Sequence, residues 1–89
     1  MKRLRIKVIG DVQGVFYRFS AKIVADNTRV TGWAQNESDN SVSMVIEGET
    51  SALQEFVKWA REGSPMAEVD KVEVSEEQYK GEFKEFEVR

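Results

Sequence analysis

The chain has 89 residues, and its 13 Lys plus Arg against 16 Asp plus Glu leave a formal charge of −3, with no His and no Cys. Without Cys there is no disulfide, thiolate nucleophile or zinc-thiolate centre, and without His there is no imidazole base, phosphohistidine or His-ligated metal. A chain this short is one domain that buries on the order of 60–65% of its unfolded surface, so a site is expected on a surface loop, without a cofactor-sized cavity.

Leu4, Ile6 and Val8 alternate with Arg5 and Lys7, the period-two pattern of a strand with one buried face, running to about Gly10. From Phe16 the spacing changes. Phe16, Phe19, Ile23 and Val24 fall on one stripe of a helix over about residues 16–27, which leaves Asp11 to Val15 as a strand-to-helix loop. Val30 to Gln35 reads as a second strand. Val42, Met44 and Ile46 mark a third, and the polar turn Glu37 to Asn40 joins the two into a hairpin. Ser51 with Gln54 has the form of a capping box, Thr50 being the rival N-cap. Leu53, Phe56, Val57 and Ala60 form the apolar stripe of that helix, and Gly63 and Pro65 stop it. Val69 to Val74 and Phe83 to Val88 read as further strands around a turn at Gln78 to Gly81. The order is β-α-β-β-α-β with a short extra C-terminal strand. This predicts an α+β, ferredoxin-like fold, two helices on one face of a mostly antiparallel sheet. Sensors, RNA binders and enzymes all use that scaffold, so it decides nothing about function.

At 40% apolar and 33% charged residues, the composition is that of a soluble globular protein. No apolar run approaches the roughly 18 residues of a membrane span, and the alternating start is not a signal peptide, so a cytoplasmic protein without membrane contact is expected. Lys and Glu richness leans weakly toward a thermophilic source. Residues 1–35 carry seven basic side chains (Lys2, Arg3, Arg5, Lys7, Arg18, Lys22, Arg29) and two acidic ones (Asp11, Asp26), a balance of +5 that leaves −8 on the remainder. If folding keeps these apart, an anion site sits on an acidic body that discourages nucleic acid. Leu4 to Ile9 and Ser41 to Glu47 also lack the aromatics on which RNA bases stack.

Two segments carry candidate chemistry. Gly10 to Arg18 joins a strand end to a helix start, where unpaired backbone N–H groups face a phosphate-like anion. Gly14 lets the backbone approach a ligand or take positive φ, and Arg18 adds a planar fork for two phosphoryl oxygens. The plainer reading is a turn glycine and a solvated arginine. In Gly32-Trp33-Ala34-Gln35-Asn36, Trp33 packs, Gly32 relieves crowding, and Asn36 is a turn former whose amide has the donors and acceptor to orient a water.

Gly10-Asp11-Val12-Gln13-Gly14-Val15-Phe16-Tyr17-Arg18 and Gly32-Trp33-Ala34-Gln35-Asn36, with Val42, Gly48 and Gly63-Ser64-Pro65 in register, resemble the acylphosphatase family across the whole chain. The resemblance implies metal-independent hydrolysis of a small-molecule acyl phosphate to a carboxylate and inorganic phosphate, which is also the expected inhibitor. It assigns phosphate binding to Arg18, water positioning to Asn36, and the amide cradle to Gln13, Gly14, Val15, Phe16 and Tyr17. It implies no cofactor and no metal, and a monomer is expected. The alternative is a non-catalytic ferredoxin-like module that binds an anion or a partner. Four positions depart from the family pattern. Tyr17 stands for Phe and needs a hydroxyl partner if buried. Asn40 stands for a turn Gly. Arg29 stands for a helix-ending Gly and shifts the boundary toward Asn27. Asp11 brings a carboxylate near the anion site.

Overall fold

The computed structural model describes residues 1–89. Its elements are β1 (Lys2–Asp11), α1 (Tyr17–Thr28), β2 (Thr31–Asn36), β3 (Val42–Gly48), α2 (Thr50–Glu62), β4 (Glu68–Glu77) and β5 (Phe86–Val88). The sheet order is β4-β1-β3-β2-β5. Every pairing is antiparallel except β2 with β5. The alternation in β1 sends Ile6 and Val8 to the face covered by both helices and Arg3, Arg5 and Lys7 to the other. Ile6, Val8, Met44 and Ile46 form the sheet side of the core against Ala21, Ala25, Leu53, Phe56 and Ala60. The ferredoxin-like arrangement expected from the element order is the one observed.

The face that α1 buries is not the phenylalanine stripe. Tyr17, Ala21 and Ala25 are the buried row, whereas Phe16, Phe19 and Ile23 are 74%, 57% and 52% exposed. Two alanines one turn apart bring the helix backbone close to the layer below, and Tyr17 fills the space at its start. The Tyr17 hydroxyl finds the partner that burial demands, donating to the Ala60 carbonyl at 2.7 Å. At the other end, α1 is not shortened to Asn27. Arg29 takes the left-handed conformation itself at φ 60, with its N–H on the Ala25 carbonyl, despite a cost of roughly 1–2 kcal/mol for a side chain there. Asn40 does the same in the β2–β3 turn at φ 72. The capping box at Ser51 does not form. The Leu53 N–H bonds the Glu49 carbonyl at 3.0 Å, so the N-cap is Glu49, two residues before Ser51, and Thr50 and Ser51 both lie inside the first turn of α2.

β4 extends beyond Val74 to Glu77, and β5 is shorter than expected, because residues 78–85 are a strap between opposite edges of the sheet. The strap is anchored on the face away from the helices. Arg3 and Glu47 lie opposite each other in register and are both buried. Glu47 Oε2 accepts from the Lys80 and Gly81 N–H groups at 2.9 and 3.3 Å and from Arg3 at 3.3 Å. Arg3 also donates to Glu77 at 3.0 Å and Glu82 at 2.5 Å, beneath the Phe83 ring.

Hydrogen bonds from Arg5 and Arg3 hold the Glu77 carboxyl below its usual range, and Arg3 does the same for Glu82. A carboxyl whose pKa is depressed by folding stabilises the fold above its unfolded value, about 4.3, and loses that contribution as pH falls through the folded value. The melting temperature is therefore expected to hold between pH 7 and 5 and to fall below about pH 4.5. Glu82→Gln should start lower at pH 7 and decline less steeply in acid, as followed by circular dichroism. An unchanged acid slope would remove the strap from the explanation.

Candidate active site

Leaving the sheet requires β1 to bend. The register with β4 shifts between Ile9 and Gly10, and Gly10 sits at φ 144, where an added Cβ would lie 2.2 Å from the Glu68 carbonyl oxygen. Beyond it Gly14 and Phe16 take φ 72 and 61, while Val15 between them stays at negative φ. Alternation of left- and right-handed residues turns successive N–H groups toward one concavity, the geometry of an anion nest. The N–H groups of Gln13, Gly14, Val15 and Phe16 donate to no backbone acceptor. Tyr17, first in α1, likewise has no intrahelical acceptor for its own.

The cradle is tied down from three sides. The Gln13 side-chain amide donates to the Glu37 and Ser41 carbonyls at 2.9 and 2.8 Å, across the β2–β3 turn. Buried Ser64 donates to the Val15 carbonyl at 2.7 Å, from the connection after α2. Tyr17 to Ala60 supplies the third tie. Burial pushes the Tyr17 phenol well above its ordinary range, so it stays protonated and a donor.

Arg18 lies in the first turn of α1 and donates from its guanidinium to the Arg89 carbonyl. One turn on, the Lys22 ammonium donates to the Phe86 carbonyl at 3.0 Å, so α1 grips β5 at two points. β5 in turn pairs with β2, Ala34 opposite Val88, and the Arg89 N–H bonds the Ala34 carbonyl at 2.8 Å. Asn36 is two residues further along β2. It is the exposed end of the strand rather than part of the turn, on the same face as buried Ala34. The residue after it, Glu37, is the one whose carbonyl Gln13 grips, so cradle and Asn36 are neighbours across that bond. Gly32 relieves crowding as expected, since its Cβ would fall 1.8 Å from the Val45 carbonyl oxygen. Trp33 is half-buried beneath the Arg89 guanidinium, 4.7 Å from its ring centroid.

The concave side of the cradle opens into a cleft of about 270 Å³ lined by Gly14, Tyr17 and Arg18 together with Phe16, Phe19 and Val88. Asp11, exposed at the end of β1, does not line it. No group of three or more carboxylates is placed to hold a metal ion. Sequence reasoning missed the tethering role of the Gln13 side chain, the Arg89 carbonyl under Arg18, and Phe19 and Val88 on the cleft wall. A lone Gln or a backbone carbonyl gives no pattern to find.

The family model described as acylphosphatase matches residues 4–88. The chain belongs to the acylphosphatase family. Relatives named acylphosphatase from Rubrobacter xylanophilus and Pyrobaculum aerophilum are 48% identical over 88 residues and 46% identical over 89 residues. Each alignment covers 99% of this chain, with 80% of the first relative and 94% of the second. The crystal structure of the acylphosphatase from Bacillus subtilis superposes with a TM-score of 0.96 at 35% identity, covering 100% of this chain and 99% of that one. Membership gives the reaction class, hydrolysis of acyl phosphates, and makes the chain an enzyme. No helix is long and apolar enough to cross a membrane.

Proposed function

We propose that this acylphosphatase holds the phosphoryl group of an acyl phosphate in the Gln13–Tyr17 amide cradle against Arg18, and that Asn36 positions the attacking water. The observation that carries this is the run of N–H groups from Gln13 to Phe16 without backbone acceptors, in a loop whose Gly14 and Phe16 line the same cleft as Arg18. Such amides, with a guanidinium, match the charge spread over the three phosphoryl oxygens in the transition state. Water oxygen bonds to phosphorus, the bridging P–O bond breaks, and its electron pair leaves on the carboxylate. The proton of the water passes to a phosphoryl oxygen. A carboxylate is a good leaving group, so no strong general acid is needed, and the protonated Tyr17 phenol is already committed to Ala60. The mechanism asks for no metal.

The test is hydrolysis of benzoyl phosphate in chelator-treated buffer, with acceleration well above the spontaneous rate as the expected result. Inorganic phosphate, the product, should inhibit competitively and raise the melting temperature, by the equivalent of about 2.7 kcal/mol at a hundredfold excess over Kd. A folded protein that left benzoyl phosphate at its spontaneous rate would overturn the reading, and stabilisation by phosphate without turnover would reduce the site to a binding site. The same reading takes the protein as a monomer, supported by the carboxylates and Lys71 along edge strand β4, which discourage pairing with another sheet. A cytoplasmic setting rests on the sequence alone.

A further inference from the structure

Burial in the core accounts for most of the large apolar side chains of this protein, and the exposed exceptions are unevenly placed. Phe16, Phe19 and Val88, at 74%, 57% and 43% exposure, all border one cleft. It is the cleft that contains Gly14 and Arg18. Phe16 and Phe19 are one turn apart at the start of α1, and Val88 faces them from β5, on the same side of the sheet as buried Phe86. Single exposed apolar residues are ordinary, but three around one concavity beside a catalytic arginine are a contiguous patch of the kind that takes a ligand. Arg18 is the only charged side chain on the wall, and the carbonyl of Arg89 already holds it.

We propose that Phe19, with Phe16 and Val88, forms a seat for the acyl group, so that this enzyme prefers acyl phosphates whose acyl group is uncharged and apolar, an aromatic ring or a branched chain. The inference rests on the phosphoryl placement given above. With the phosphoryl group on the amides of Gly14 to Tyr17, the acyl group is the part of the substrate that projects along the remaining wall. A cleft of about 270 Å³ is just below the ~300 Å³ where small-molecule sites begin, which suits a phosphoryl group carrying one small ring. With Arg18 taken up by the phosphoryl group, a carboxylate-bearing acyl group would be left against Phe16, Phe19 and Val88 and would lose hydration without recompense.

Two kinds of measurement on the full chain test this. In turnover, Phe19→Ser is expected to lower kcat/KM for benzoyl phosphate on the order of tenfold, and for acetyl phosphate by much less, so that the ratio of the two falls about fivefold or more. Ile23→Ser, one turn further along the same exposed row of α1 but outside the cleft, should leave both substrates as in the unaltered protein. In binding, phenylphosphonate should be held more tightly than methylphosphonate by calorimetry, and Phe19→Ser should remove most of that difference. Equal losses on both acyl phosphates, an unmoved ratio, or no preference between the phosphonates would overturn the proposal. So would a Phe19→Ser protein that kept its substrate ratio but lost a dimer seen by size exclusion, because the patch would then belong to a second copy. Failure to turn over either acyl phosphate, with the phosphonate preference intact, would instead count against the hydrolytic mechanism and in favour of the seat.

Discussion

Arg18→Ala is expected to lower kcat/KM for benzoyl phosphate by about 10³-fold and to weaken inhibition by inorganic phosphate by roughly 10–100-fold. The first figure corresponds to about 4 kcal/mol of lost transition-state stabilisation. It is of the size found when a cationic group is removed from a transferring phosphoryl group. Ground and transition states both carry phosphoryl charge, so binding and turnover should suffer together. The side chain is half-exposed, and its hydrogen bond to the Arg89 carbonyl is one of two ties from α1 to β5, the Lys22 bond to Phe86 remaining, so the variant should fold with a melting temperature only slightly below that of the unaltered protein. Arg18→Lys is a sharper version of the test. It keeps the charge and loses the fork, and should recover phosphate affinity more than turnover. Full activity in Arg18→Ala would rule out the assignment.

Asn36→Ala is expected to divide the two effects. A carboxamide that orients water contributes only while water is being delivered, so kcat should fall about 10²–10³-fold while the phosphate inhibition constant moves by less than about twofold. The position of Asn36 makes the separation measurable. It stands at the exposed end of β2, it is not among the residues lining the cleft, and Gln13 links the cradle to the next residue through a backbone carbonyl rather than through Asn36 itself. Removing its side chain leaves that bond in place. Loss of phosphate affinity equal to that of Arg18→Ala would contradict the division of labour. Asn36→Asp would add a carboxylate beside the anion and should damage both constants.

What could be read from the sequence depended on how each element is buried. β1 was legible because one of its faces is core and the other solvent, so Leu4, Ile6 and Val8 alternate cleanly. α1 was misjudged at its buried face because its packing is done by Ala21 and Ala25, which carry little hydrophobic signal, while Phe19 and Ile23 carry much and stay outside. The ends of β4 and β5 were blurred by the strap, since residues 78–85 are held by Arg3 and Glu47, and a buried ion pair reads in sequence as two ordinary surface charges. The two motifs singled out Gly14, Arg18 and Asn36 from the sequence, and the structure puts Gly14 and Arg18 on one cleft and Asn36 at the exposed end of β2. What ties the two segments together is the Gln13 bridge to Glu37 and the docking of β5 beside β2, contacts with no local pattern.

The cradle is made of main chain, and that determines how the enzyme responds to amino-acid replacement. Changing Val15 to another residue deletes no donor, because the donor is the peptide N–H that every residue but proline supplies. On the proposed reading, an alanine scan would therefore register Arg18 and Asn36 and pass over most of the amides assigned to the phosphoryl oxygens. The vulnerable information is instead conformational, held in the left-handed turns at Gly14 and Phe16 and in the Gln13, Ser64 and Tyr17 ties that keep them in place. A phosphoryl site of this kind is specified largely as a backbone shape, and many different sequences can spell it.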